Sequence, residues 1–118
     1  MDNNILIIDD SPHALSETKR IVQNIDSIQV DTASSATEAR KLQLENYKLV
    51  IVDVVMPEEN GIEFARFLKE KFPLLKIILI TSLEQERIQL ESIQAGADDF
   101  HTKPLNEEAF TSSIKNLL

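Results

Sequence analysis

The sequence predicts an α/β architecture: a doubly wound parallel sheet of five strands with helices on both faces. Three observations carry that prediction. Short β-branched runs recur along the chain, apolar on both parities, as strands are when both faces are covered. Longer mixed segments lie between them, with apolar residues at helical spacing behind capping residues. The strand–helix alternation repeats about five times, which implies right-handed crossovers and a parallel sheet.

The elements follow in order. Ile5–Ile8 is the first strand and closes on Asp9 and Asp10. Ser11 before Pro12 marks a helix start, with Leu15, Thr18, Val22 and Ile25 at helical spacing behind it. Ile28–Thr32 is a weaker strand. Ser35 and Glu38 form the pattern of a capping box, with Ala36, Ala39 and Leu42 on one face. Leu49–Val52 is the third strand and ends in Asp53. Asn60 caps a helix bearing Ile62, Ala65, Leu68 and Phe72. Ile77–Ile80 is the fourth strand and ends in Thr81. Ser82 and Gln85 suit a second capping box before Ile88, Leu90 and Ile93, and Gly96 suits the left-handed position after that helix. Asp98–Lys103 is the last strand. Asn106 caps a final helix with Phe110, Ile114 and Leu117 facing inward.

Composition narrows the functions available. The 118 residues, read here as one domain over 1–118, are enough for a core without staples. Lys plus Arg is 12 against 20 Asp plus Glu, a net charge of −8. That balance argues against direct nucleic-acid binding and against anionic membranes, both of which need a basic face. Cys is 0, which removes disulfides, thiolate metal sites and cysteine nucleophiles. With Gly at 2, glycine-rich phosphate loops are excluded. No apolar run is long enough to span a bilayer, and Met1–Asn4 lacks the basic start of a signal peptide. A cytoplasmic location is the expectation.

Ligands of an open parallel sheet sit outside the carboxyl ends of its strands. Asp9, Asp10, Asp53, Thr81 and Lys103 all close apolar runs, so all are expected at one edge. Three carboxylates crowded together repel, and a hard divalent cation with oxygen ligands relieves that repulsion. Thr81 adds a hydroxyl and Lys103 a cation. A metal, a cation and a hydroxyl aimed at one carboxylate are the parts needed for phosphoryl transfer to a carboxylate nucleophile.

These residues resemble those of a known family. Ile7-Ile8-Asp9-Asp10-Ser11, Val52-Asp53-Val54-Val55-Met56-Pro57, Ile80-Thr81-Ser82 and Lys103-Pro104-Leu105 together look like the response-regulator receiver domain of two-component signalling, chemotaxis type. No single piece is specific; four in the family's order, each at a strand end, are. The resemblance spans essentially the whole chain. It implies a flavodoxin-like receiver fold with strand order 2-1-3-4-5. It further implies that Asp53 accepts a phosphoryl group from a histidine kinase or a histidine phosphotransfer protein. Asp10, Asp53 and the Val55 backbone carbonyl would ligate Mg²⁺, or Mn²⁺ in its place, with Asp9 assisting through water. Thr81 would bond a phosphoryl oxygen and swing inward, and Lys103 would pair with the acyl phosphate. A cis bond is implied before Pro104. Phe100 falls at the switch aromatic, which moves with Thr81 and alters the face built by the fourth helix, fifth strand and fifth helix. That face would control a downstream effector protein or an output domain, and a homodimer on phosphorylation is in keeping with the family. Such a domain catalyses only its own phosphorylation and dephosphorylation, so it is not expected to be an enzyme in the ordinary sense.

Departures from the family pattern also carry expectations. Phe100 stands where tyrosine is commoner, so no hydroxyl can bond outward. Val55 and Leu83, two residues after Asp53 and Thr81, are apolar where polar side chains often contact attacking water, so slow self-dephosphorylation is expected. Asn60-Gly61 replaces the frequent Asp-Gly and still turns the chain. Two competing readings are a phosphorylation-independent pseudo-receiver that acts as an interaction module, and a phosphohydrolase. The latter usually places its two aspartates two residues apart on the first strand, unlike Asp9-Asp10. His13 and His101 read as surface histidines. Phe64, Phe67 and Phe72 read as core and helix-face residues. Glu84–Glu91 reads as a solvated face on a loosely packed helix, and Asp98-Asp99 has no metal role.

Overall fold

The computed structural model describes residues 3–82 and 86–118. Five strands, β1 (Asn3–Ile8), β2 (Ile28–Ala33), β3 (Leu49–Asp53), β4 (Lys76–Thr81) and β5 (Asp99–Thr102), form one parallel sheet in the order 2-1-3-4-5. Five helices alternate with them: α1 (Pro12–Gln23), α2 (Ala36–Arg40), α3 (Gly61–Lys71), α4 (Glu86–Gln94) and α5 (Glu107–Leu117). A short 3-10 turn, Leu44–Asn46, leads into β3.

The both-parity apolar runs explain the layering. In β1, β3 and β4 the alternate residues Leu6, Ile8, Val50, Val52, Ile77 and Leu79 face α2, α3 and α4. Their neighbours Ile5, Ile7, Leu49, Ile51, Ile78 and Ile80 face the other way, against α1 and α5. The sheet thus divides two apolar slabs, and its three central strands are sealed on both sides.

Helix starts sit where their capping residues predict. Ser11 Oγ accepts from Ala14 N at 3.3 Å, with Pro12 opening α1. Asn60 Oδ1 accepts from Ile62 N at 2.7 Å, and Asn106 Oδ1 from Ala109 N at 2.9 Å. Each side chain satisfies a donor that the first helical turn leaves without a partner. The Ser35–Glu38 box closes differently from expectation. Ser35 Oγ accepts from Glu38 N, but the Glu38 carboxylate accepts from Ser34, through both its amide and its hydroxyl. The return arm of the box lands one residue early.

The fourth helix also departs from the expected pattern. Its inward stripe is Ile88, Ser92 and Ala95, whereas Leu90 and Ile93 are exposed. Ser92 is tolerated inside because its hydroxyl donates to Ile88 O at 2.7 Å. Gln85 of the second capping box, and Leu83, lie outside the described residues. Gly96, with φ 99°, ends α4 as expected. Its amide bonds Ile93 O and that of Ala97 bonds Ser92 O, the paired closure that favours glycine at the left-handed residue.

Candidate phosphoacceptor site

Parallel pairing brings the ends of β1, β3, β4 and β5 to one edge, so the polar residues that close these strands converge. Asp9 is fully buried just after β1, and its Oδ1 accepts from Ser11 N at 3.0 Å. Asp10, the next residue, is exposed. Asp53 ends β3 with its side chain nearly buried, and its Oδ1 accepts from Val55 N at 3.2 Å. Lys103 Nζ donates to Asp9 Oδ2 at 2.8 Å and to Asp53 Oδ2 at 3.2 Å. Thr81 ends β4 fully buried, and its carbonyl accepts from Lys103 N at 2.7 Å. That bond carries the β4–β5 pairing one residue beyond Thr102 and fixes where the Lys103 side chain starts. The Lys103–Pro104 peptide is cis, as expected.

Asp9, Asp10 and Asp53 each offer a carboxylate oxygen, and the three lie within 4.8 Å of one another. Three carboxylates face one lysine, so the cluster is left with an excess of negative charge when ionised. An all-oxygen donor set of that charge fits a hard divalent cation such as Mg²⁺. Burial, and then the charge of Asp9, push the Asp53 carboxyl up to about 6, while Lys103 and the Val55 amide pull it down. Burial would lower the Lys103 ammonium, but its bonds to Asp9 and Asp53 outweigh that and raise it.

The other residues singled out in the sequence take separate positions. Val55 is 53% exposed at the mouth of the site. Phe100 is half-buried on β5 and packs on the slab under α3 and α4. Asp98 and Asp99 stay outside the carboxylate cluster: Asp98 holds Ile77 N and Lys69, and Asp99 accepts from Ser113 Oγ. His13 is exposed, as expected. His101 is not a surface residue. Its side chain is 15% exposed, edge-on to Phe110 at 5.2 Å, with Nε2 3.4 Å from Asp99 Oδ2. An alternating strand turns it toward α5, a placement that a lone histidine in a short run does not reveal.

Two features beside the site escaped the sequence reading, which took Gly61 only as a turn residue. A Cβ built on Gly61 would stand 2.1 Å from the Asp53 carbonyl oxygen, so α3 begins in direct contact with the backbone of the acidic strand end. The signal was a glycine at the first helical position, where propensity disfavours it. The second is Arg40, whose partner Glu59 lies 19 residues on.

The family profile described as the response regulator receiver domain matches residues 5–115. Among curated proteins, the transcriptional regulatory protein SrrA of Staphylococcus aureus is 33% identical over 119 residues, covering 100% of this chain and 48% of that protein. The chain spans about half the length of the curated relatives it matches. Among solved structures, the BeF3-activated receiver domain of DrrB, a Thermotoga maritima OmpR/PhoB homolog, aligns with a TM-score of 0.91 at 30% identity, covering 99% of this chain and 97% of that one. The signal receiver domain of a histidine kinase from Syntrophus aciditrophicus aligns at 0.85 with 37% identity, covering 98% and 89%. The chain belongs to the response regulator receiver domains of two-component signal transduction. Among the described residues, no helix is long and apolar enough to cross a membrane.

Proposed function

We propose that the chain, as one receiver domain over 1–118, takes a phosphoryl group on Asp53 and signals through a switched surface. The observation that carries this is Lys103 held between Asp9 and Asp53 at 2.8 and 3.2 Å, with Asp10 beside them. An Asp53 carboxylate oxygen attacks phosphorus, and the bond from phosphorus to the donor's histidine nitrogen breaks. The histidine leaves with the electron pair and an acyl phosphate remains. Lys103 already touches the acceptor and follows the new negative charge onto a phosphoryl oxygen. Asp10, Asp53 and the Val55 carbonyl would hold Mg²⁺, with Asp9 through water. The ion, or Mn²⁺ in its place, supplies neutralisation of phosphoryl charge. Thr81, buried at the end of β4, donates its hydroxyl to the phosphoryl group, and Phe100 on the adjacent strand follows it.

The donor is a histidine kinase or histidine phosphotransfer protein. The readout is the α4–β5–α5 face, taken up by an effector, an output domain or a second copy of the chain. In this reading the protein turns over only its own phosphoryl group, binds no nucleic acid directly and works in the cytoplasm.

Intact mass after incubation with Mg²⁺ and acetyl phosphate tests the proposal. One added phosphoryl group is expected, absent without metal and in Asp53→Asn. Native protein that stays unmodified with acetyl phosphate and with a phosphorylated kinase overturns it. Val55 bears on lifetime. An exposed valine at the mouth cannot orient a water, so Val55→Asn is expected to shorten the acyl-phosphate half-life about fivefold, the effect of one hydrogen bond of about 1 kcal/mol. A decay course by intact mass measures this, and an unchanged half-life assigns Val55 no part in it.

A further inference from the structure

We propose that Arg40 is a positioning residue for the acidic edge: through Glu59 it holds the outer turn of the loop whose first arm carries the Val55 carbonyl, and so sets divalent-cation affinity. The inference rests on the function proposed above.

The loop between β3 and α3 runs from Val54 to Asn60. Its base is tied to the sheet, since Val54 N bonds Ile80 O and Gly61 N bonds Val54 O, each at 2.8 Å. Its outer arm makes a tight turn instead. Glu58 has φ 69°, and Glu59 N bonds Pro57 O at 2.8 Å across it. A non-glycine residue in that region is strained and persists when its surroundings hold it. The holding groups come from α2. Arg40 Nη2 donates to Glu59 Oε1 at 2.7 Å and Nη1 donates to Glu59 Oε2, a two-pronged pair. Thr37 Oγ1 donates to Glu58 Oε2 at 3.4 Å.

The arginine is itself seated. Its guanidinium carbon lies 4.8 Å from the Phe64 ring centre and 4.7 Å from that of Phe67, two rings stacked at 5.9 Å. Phe64 is fully buried, so the chain of contact runs from the core through two aromatic rings and a planar cation to the loop. An exposed ion pair contributes little. A forked pair on an aromatic seat fixes direction as well as distance, which a lysine cannot do.

The sign of the effect separates positioning from charge. Arg40 is a cation at the end of α2, bonded to a loop next to a cation site. Removing it strengthens Mg²⁺ binding if only Coulomb repulsion between the two cations matters. It weakens Mg²⁺ binding if the loop needs Arg40 to present its carbonyl. The test is stepwise addition of MgCl₂ to the native chain, Arg40→Gln, Arg40→Lys and Phe67→Leu, followed by ¹H–¹⁵N amide shifts of Asp10 and Val55. Arg40→Gln is expected to raise the Mg²⁺ dissociation constant about three- to tenfold, less than loss of a partner bonded directly to a ligand. Arg40→Lys is expected to restore little. Phe67→Leu changes no charge and is expected to weaken binding in the same direction, with shifts elsewhere in the spectrum native-like. Arg40→Gln that binds Mg²⁺ as tightly as the native chain, or more tightly, overturns the inference. A native chain whose amides ignore Mg²⁺ overturns the proposed function instead.

Discussion

Asp53 carries two demands that conflict. The proposed chemistry needs it ionised, whereas its burial beside Asp9 holds its carboxyl up at about 6. The unfolded chain releases that proton near the ordinary value of about 3.9. Between those values the native state holds more protons than the unfolded one. The raised value therefore contributes stability that is full below about pH 4 and lost as pH rises through about 6. Asp53→Asn removes the loss. In metal-free buffer the variant is expected to melt higher than the native chain near neutral pH, with the gap closing at acidic pH. Thermal melts across a pH series check this, and a gap of equal size at both ends would place its origin elsewhere. Gly61 makes the complementary case for a residue defined by what it lacks. Gly61→Ala puts a methyl group into the Asp53 carbonyl and is expected to cost about 3 kcal/mol or more in chemical denaturation, because backbone must move.

Among the helices, α4 is the least tied down. It buries Ser92 and leaves Leu90 and Ile93 more than half exposed, whereas α1, α3 and α5 each bury several apolar or packed side chains. Its amides are expected to exchange with solvent faster than those of α3 and α5 under native conditions. Hydrogen-exchange mass spectrometry reads this, and equal protection in α4 and α3 would remove the distinction. The same helix shows how far sequence reading goes. Ser11, Asn60, Asn106 and Gly96 each announce a helix end through local chemistry, so those ends were legible. The acidic cluster was legible too, because every member closes an apolar run. Which stripe of α4 turns inward was not, since Ile88, Ser92 and Ala95 compete with Leu90 and Ile93, both large and apolar. His101 and the Arg40–Glu59 pair were equally silent, because both depend on partners brought together by the fold.

Taken whole, the molecule is one sheet with an apolar slab on either side, and the proposed chemistry lies on the rim where the strands end. Val22 belongs to the slab under α1 and α5, and Leu68 to the slab under α3. Each truncated to alanine is expected to cost about 1–4 kcal/mol, and the double variant should equal the sum to within about 0.5 kcal/mol. Urea denaturation of the two singles and the double measures this, and a large departure from the sum would mean the slabs communicate through the sheet. If the sum holds, the partition has a consequence for divergence. Each half is free to repack on its own schedule, so two relatives can drift apart in core residues on one side while retaining the other side and the rim. Sequence identity then becomes a poor measure of shared chemistry, and the strand ends a better one.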